Sequence, residues 1–163
     1  LDLGAAEEIT DLALAEAAKA GISVCVAVVD RAGYPLVFKR QPGAPFHAID
    51  IALDKAYTAV SFGLATGKWD RRLAEGSEML RHGLMHRERF VSFGGGMPIK
   101  HGGTRVGAIG ISGGSEAQAL ADLITLRAVQ AGDGATAAIG ATQRLYAWGL
   151  VAEAALATWQ QPA

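Results

Sequence analysis

The chain has 163 residues, half of them apolar and 19% charged, which fits one folded domain with a buried core and excludes a disordered polymer. Fifteen basic against sixteen acidic side chains leave a formal net charge of -1, with no basic stripe, so nucleic acid and anionic membrane surfaces are not expected partners. No run approaches the roughly 20 apolar residues of a membrane span, and the single cysteine, Cys25, cannot close an internal disulfide.

The first segment, "LGAAEEITDLALAEAAKAG", predicts a helix that sets Ile9, Leu12, Ala13, Ala17 and Ala20 on one face and stops at Gly21. "ISVCVAVVD" and "YPLVFKR", joined by the turn "RAG", predict a β-hairpin, with Pro35 at the start of the second strand, where a missing donor is tolerated. Cys25 falls in the apolar part of the first strand and reads as a small buried hydrophobe.

"PFHAIDIALDKAYTAVSFG" predicts a second helix with Ile49, Ala52, Leu53, Ala56 and Val60 toward the sheet and Asp50, Asp54, Tyr57 and Ser61 on the other face. "TGKWDRRLAEGSEMLRHGLM" reads as a broken helical cover, interrupted at Gly76 and Gly83. Two further strands, "RFVSFGGGMPIK" and "TRVGAIGISG", meet at the turn "HGG". A helix follows from Ser115, with Gln118 completing a capping box, and an apolar helix from about residue 135 ends the chain. Strands in hairpins imply an antiparallel sheet with helices on its faces, and the composition of residues 1–163 gives no linker that would divide them.

Nine glycines lie between Phe93 and Ser115, although glycine weakens an ordinary strand. Their spacing matches neither a dinucleotide fingerprint nor a P-loop. Gly94, Gly95 and Gly96 end one strand, with a cis or tight-turn geometry open to Met97-Pro98, and Ser112, Gly113 and Gly114 end the next. Free amides at such turns suit a carboxylate or phosphate, while close packing of helix on sheet is the alternative. For Gly107 and Gly110, in mid-strand, packing is the expected reason.

Four blocks, "VAVVDRAG", "DIALDKAYTAVSFG", "FGGGMPI" and "GAIGISGG", resemble in order and spacing those of the GlcG/HbpS family, which includes the C-terminal domain of PduO-type proteins. The resemblance spans Gly21 to about Ala131. It implies a profilin-like α/β domain, an antiparallel sheet flanked by helices, that assembles as a homo-oligomer; the apolar C-terminal helix, with Leu145, Tyr146, Trp148, Leu150 and Val151, agrees with that. It also implies haem or a corrinoid-related compound as the ligand. Haem-binding relatives are similar at "DKAYTAVSF", which makes Thr58 a haem contact by resemblance; the alternative is a hydroxyl bonded to its own helix backbone. Other relatives use a histidine on the first helix, and this one has none there. Ala119 stands where an acidic residue is common in the family.

Among the histidines, His47, at the start of the second helix, is the best candidate ligand for haem or a metal, against the alternative of a capping or packing residue. His82 and His86 form H-x-x-x-H but lack a third partner, and His101 falls in a turn; all three read as surface, so no metal is expected. Asp50 and Asp54, one turn apart, are an alternative pair of chelators.

Two functions follow. One is a small-ligand-binding protein for haem or a similar anionic tetrapyrrole, at Thr58, His47 and the glycine-rich turns. The other is a cofactor-free enzyme or accessory protein for a small carboxylated catabolite, with Lys55 and Tyr57 at its centre and Lys55 partly buried at a helix edge, although no nucleophile–base pair is legible. Against the second stands the reading that Lys55 only pairs with Asp54 or Glu78. The expected location is cytoplasmic, and the start at Leu1 is compatible with a leader removed earlier.

Overall fold

The computed structural model describes residues 1–113. The expected cap at Ser115 and Gln118, Gly114, Ala119 and the C-terminal helix lie outside the described residues. Helix α1 spans Leu3–Lys19, strands β1 and β2 span Cys25–Asp30 and Pro35–Arg40, and α2 spans Ala48–Phe62. A short 3-10 turn, Thr66–Lys68, leads into α3 (Trp69–Glu75) and α4 (Glu78–Met85), and β3 (Gly96–His101) and β4 (Thr104–Ser112) follow. The four strands form one antiparallel sheet in the order β2-β1-β4-β3.

Local chemistry accounts for the element ends. The Asp2 carboxylate accepts from Ala5 N at 2.8 Å and caps α1. At its other end Gly21 takes φ +69°, its N–H donates to Ala18 O, and Ile22 N donates to Ala17 O, which closes a Schellman motif. In the β1–β2 turn, Asp30 Oδ1 accepts from both Ala32 N and Tyr34 N.

The two faces of the sheet carry different side chains. Val24, Val26, Val28, Val37, Ile99, Ile109 and Ile111 form one core with Ala6, Ile9, Ala13 and Ala17 of α1. On the other face Cys25, Ala27, Val29 and Ala108 meet Ala48, Ala52, Ala56, Ala59 and Val60 of α2. Small side chains on both partners let α2 lie close to the strands. Two glycines complete that fit: a Cβ at Gly96 would stand 2.5 Å from Lys55 O, and one at Gly110 would run into Ala52 O and Ala56 N. Packing therefore accounts for Gly110, as expected. Alanines make most of the buried face of α2, while Ile49 and Leu53 are only partly buried.

Three local expectations are corrected. The strand expected from Arg89 begins only at Gly96, because Arg89 O and Val91 N bond to the Thr58 hydroxyl of α2 in place of a neighbouring strand. Gly83 does not interrupt α4, which runs through it and is capped by Ser77 Oγ on Leu80 N. The Met97-Pro98 peptide is trans.

Candidate functional site

The C-terminal half of α2 faces the segment that follows α4. Between them lies a cavity of about 390 Å³ lined by Tyr57, Thr58, Ser61 and Phe62 of α2 and by Leu84 and residues 87–90. Its aromatic wall is held by a three-ring cluster. Phe62, Trp69 and Phe90 meet edge to face at centroid distances of 4.8, 5.8 and 5.1 Å, a geometry that lets ring edges meet ring faces.

Thr58 is almost fully buried and bridges two segments. Its hydroxyl donates to Arg89 O at 2.8 Å and accepts from Val91 N at 3.1 Å. The alternative of a bond to its own helix is thus replaced by a bond to a distant loop. Arg89, so held, has φ +63°, the sole positive φ of a non-glycine residue among the described ones. Its Nε donates to Asp54 Oδ1 at 2.8 Å, and its guanidinium lies over the Tyr57 ring, 3.9 Å from the centroid. Tyr57 in turn lies against the turn at Gly33.

Lys55 and Tyr57 do not face one site. Two residues apart, they project about 200° apart around α2. Lys55 is fully buried, beyond the partial burial expected at a helix edge; its Nζ donates to Ile111 O at 3.0 Å and lies 4.9 Å from the Phe93 ring centroid. Asp54 is bonded to Arg89 and Glu78 lies near His82, so each carboxylate expected beside Lys55 has another neighbour.

The glycine-rich turns do converge at one end of the sheet. Ile111 N donates to Gly95 O, Gly96 pairs with Gly110, and Ser112 pairs with Cys25. Gly94, Gly95 and Gly96 are buried there, and Gly96 N donates to Thr66 Oγ1 at 2.8 Å. Gly113 takes φ +133°, and a Cβ on it would stand 2.5 Å from Ser23 O. At Gly96 and Gly113 the close approach is made by the protein's own backbone.

His47 is exposed at the N-terminus of α2, eleven residues before Thr58, or about 16 Å along the helix axis, and does not line the cavity that Thr58 borders. His82 and His86 stack on the surface, 6.0 Å between centroids, and His101 is exposed. Among the described residues no three His, Cys, Asp or Glu side chains group as metal ligands, and no helix is long and apolar enough to cross a membrane. Burial pushes the Cys25 thiol above its ordinary range, against a smaller opposing effect of Arg40.

Sequence reasoning missed Arg87, Arg89 and Phe90. The run "HRERF" carried the signal, two arginines and an aromatic just after a helix, but reading Arg89 as the start of a strand hid it.

Known proteins supply the remaining context. A chain of 33% identity over 118 residues, covering 72% of this chain and 83% of the relative, is an uncharacterized 15.0 kDa protein of the dhaT-dhaS intergenic region of Citrobacter freundii. The corrinoid adenosyltransferase PduO of Salmonella typhimurium is 32% identical over 111 residues, 68% of this chain, but the match spans only 33% of that protein's length. Among solved structures, the PduOC:haem complex superposes with TM-score 0.70 at 25% identity, covering 96% of this chain and 93% of the other. A double mutant of Streptomyces reticuli HbpS gives TM-score 0.69 at 30% identity, covering 97% and 86%. The family model described as "Haem degrading protein HbpS-like" matches residues 1–124, and with the same mixed α/β fold in these neighbours the chain belongs to the HbpS-like family.

Proposed function

We propose that this protein binds haem or a similar anionic tetrapyrrole reversibly, in the cavity between α2 and the 84–90 segment. The observation that carries the reading is the lining: Tyr57, Phe62 and Phe90 offer aromatic surface for a planar ligand, and Arg87 and Arg89 bring guanidinium groups to its rim. Membership of the HbpS-like family, and the haem bound by the PduOC neighbour, support the same ligand class.

The residues fit a weakly held haem. Among the described residues lining the cavity, the oxygen donors toward iron are the hydroxyls of Tyr57, Thr58 and Ser61 and the Glu88 carboxylate, with neither imidazole nor thiolate present. Thr58 already spends its hydroxyl on Arg89 and Val91. Bound haem would supply a redox-active iron; the chain would supply the aromatic wall and the positive rim. No described residue of the glycine-rich turns lines this cavity; Gly96 and Gly110 bring β3 and β4 against α2, the helix that carries Tyr57 and Thr58.

A homo-oligomer is part of the proposal. Helix α4 has no buried residue and exposes Met79 and Met85, an apolar surface that a second copy would cover; light scattering giving the mass of one 16.9 kDa chain would count against it.

Titration of the purified protein with haem, followed by absorbance, tests the binding. A shifted Soret band of modest affinity, unaffected by His47→Ala, is expected. Absence of any shift at tens of micromolar haem, or a tight bis-histidine spectrum that survives Thr58→Ala and His47→Ala, would overturn it.

A further inference from the structure

We propose that Arg89 is a receptor for a ligand carboxylate, held ready by Thr58 and neutralised in the free protein by Asp54 at Nε. The proposal rests on the cavity reading above and adds which chemical group is recognised and by what.

Four observations meet at Arg89. Its backbone takes a left-handed conformation that side-chain-bearing residues adopt at a cost, and strain of this kind persists only where the surroundings enforce it. The enforcing contact is the Thr58 hydroxyl, which bonds Arg89 O on one side and Val91 N on the other, from a position that is itself almost fully buried. The guanidinium is then fixed from below by the Tyr57 ring at 3.9 Å and from the side by Asp54, which takes Nε. A guanidinium has five N–H donors, and among the described residues no hydrogen bond engages its two terminal nitrogens. They lie on a side chain that is 42% exposed and lines the cavity.

Such an arrangement is what a bidentate carboxylate site needs before its ligand arrives: a flat cation whose plane and position are already fixed. Asp54 keeps the charge neutralised meanwhile. Its single bond at Nε leaves it able to stay as a neighbour or yield to a stronger acceptor. Arg87 adds a second cation at the same rim, and Glu88, also in the lining, disfavours ligands with carboxylates on that side. The ligand class is therefore a planar conjugated molecule with one or two carboxylates at one edge.

Metal-free protoporphyrin IX and its dimethyl ester test this without iron coordination, by porphyrin fluorescence against the full chain. The free acid is expected to bind roughly tenfold or more tightly than the ester, as a charge-assisted hydrogen bond implies. Arg89→Gln should abolish that preference, bringing the affinity for the free acid down to that for the ester. Thr58→Val should reduce the preference severalfold while Thr58→Ser retains it; general unfolding would instead weaken both ligands together. Asp54→Asn, by releasing Arg89, should widen the preference. Equal binding of acid and ester by the unaltered protein, or a preference that survives Arg89→Gln, overturns the carboxylate receptor but leaves planar-ligand binding standing. Binding of neither porphyrin overturns both readings.

Discussion

Gly110 lies directly under the Ala52 carbonyl: a methyl group added to Gly110 would run into Ala52 O and Ala56 N, both backbone atoms of α2. Backbone cannot rotate aside as a side chain can, so the helix itself would have to lift from the sheet. Gly110→Ala is expected to cost about 1–3 kcal/mol, the usual range for overpacking. Gly113→Ala should also be costly, since it meets Ser23 O and must hold φ +133°. Chemical denaturation of both variants beside Gly83→Ala, which meets open space in a helix, checks the order. Near-equal stability of all three would show that α2 does not need those glycines.

A second prediction concerns Thr66. It is fully buried and its Oγ1 accepts the Gly96 N–H at 2.8 Å, where β3 begins. Thr66→Val keeps the shape but leaves that buried N–H unpaired, a loss of about 1–3 kcal/mol. Thr66→Ser, which restores an acceptor, should recover much of it. Thermal melts that rank valine above serine would contradict the assignment.

Much of the fold was legible from periodicity and turn residues. The β-branched apolar run of β1, the "RAG" and "HGG" turns and the Gly21 stop each reflect a local rule that tertiary packing did not override. The glycines were harder to read, because the sequence shows that a side chain is missing and not what approaches the gap. At Gly96 the answer is Lys55 O, forty-one residues away in the chain. The cavity was legible only on its α2 side, where Tyr57 and Thr58 stand in a recognisable block. Its other side depends on Arg89 in a left-handed conformation, which nothing local dictates; Thr58 imposes it across space. Lys55 was misplaced for a related reason. A lysine is seldom fully buried, and nothing near it in the chain shows that the carbonyl of Ile111 and the Phe93 ring stand beside its amine.

The burial of Lys55 gives the third prediction. In reductive methylation of the native protein, Lys19 and Lys39, with side chains 60% and 39% exposed, should be modified readily. Lys55, fully buried, should remain unmodified until the protein is unfolded. Mass spectrometry of the digested protein reads each site separately. Rapid native labelling of Lys55 would mean that the amine reaches solvent, and a role for it in handling substrate would regain force.

The last prediction follows from Cys25, whose side chain is fully buried between the sheet and α2 and whose thiol is pushed above its ordinary range by that burial. The folded state therefore holds this proton at a pH where the unfolded chain, with a thiol pKa of about 8.5, releases it. With more protons bound folded than unfolded, stability from this group is full below the unfolded value and falls as pH rises toward the folded one. Denaturation curves should thus show an alkaline loss beginning near the ordinary thiol range. Cys25→Ala should remove that part of the slope, although it leaves a small cavity that lowers stability at every pH. A maleimide should react with the native protein far more slowly than with the unfolded chain. An alkaline slope identical in Cys25→Ala and the parent would show that other groups, and not this thiol, set the high-pH limit.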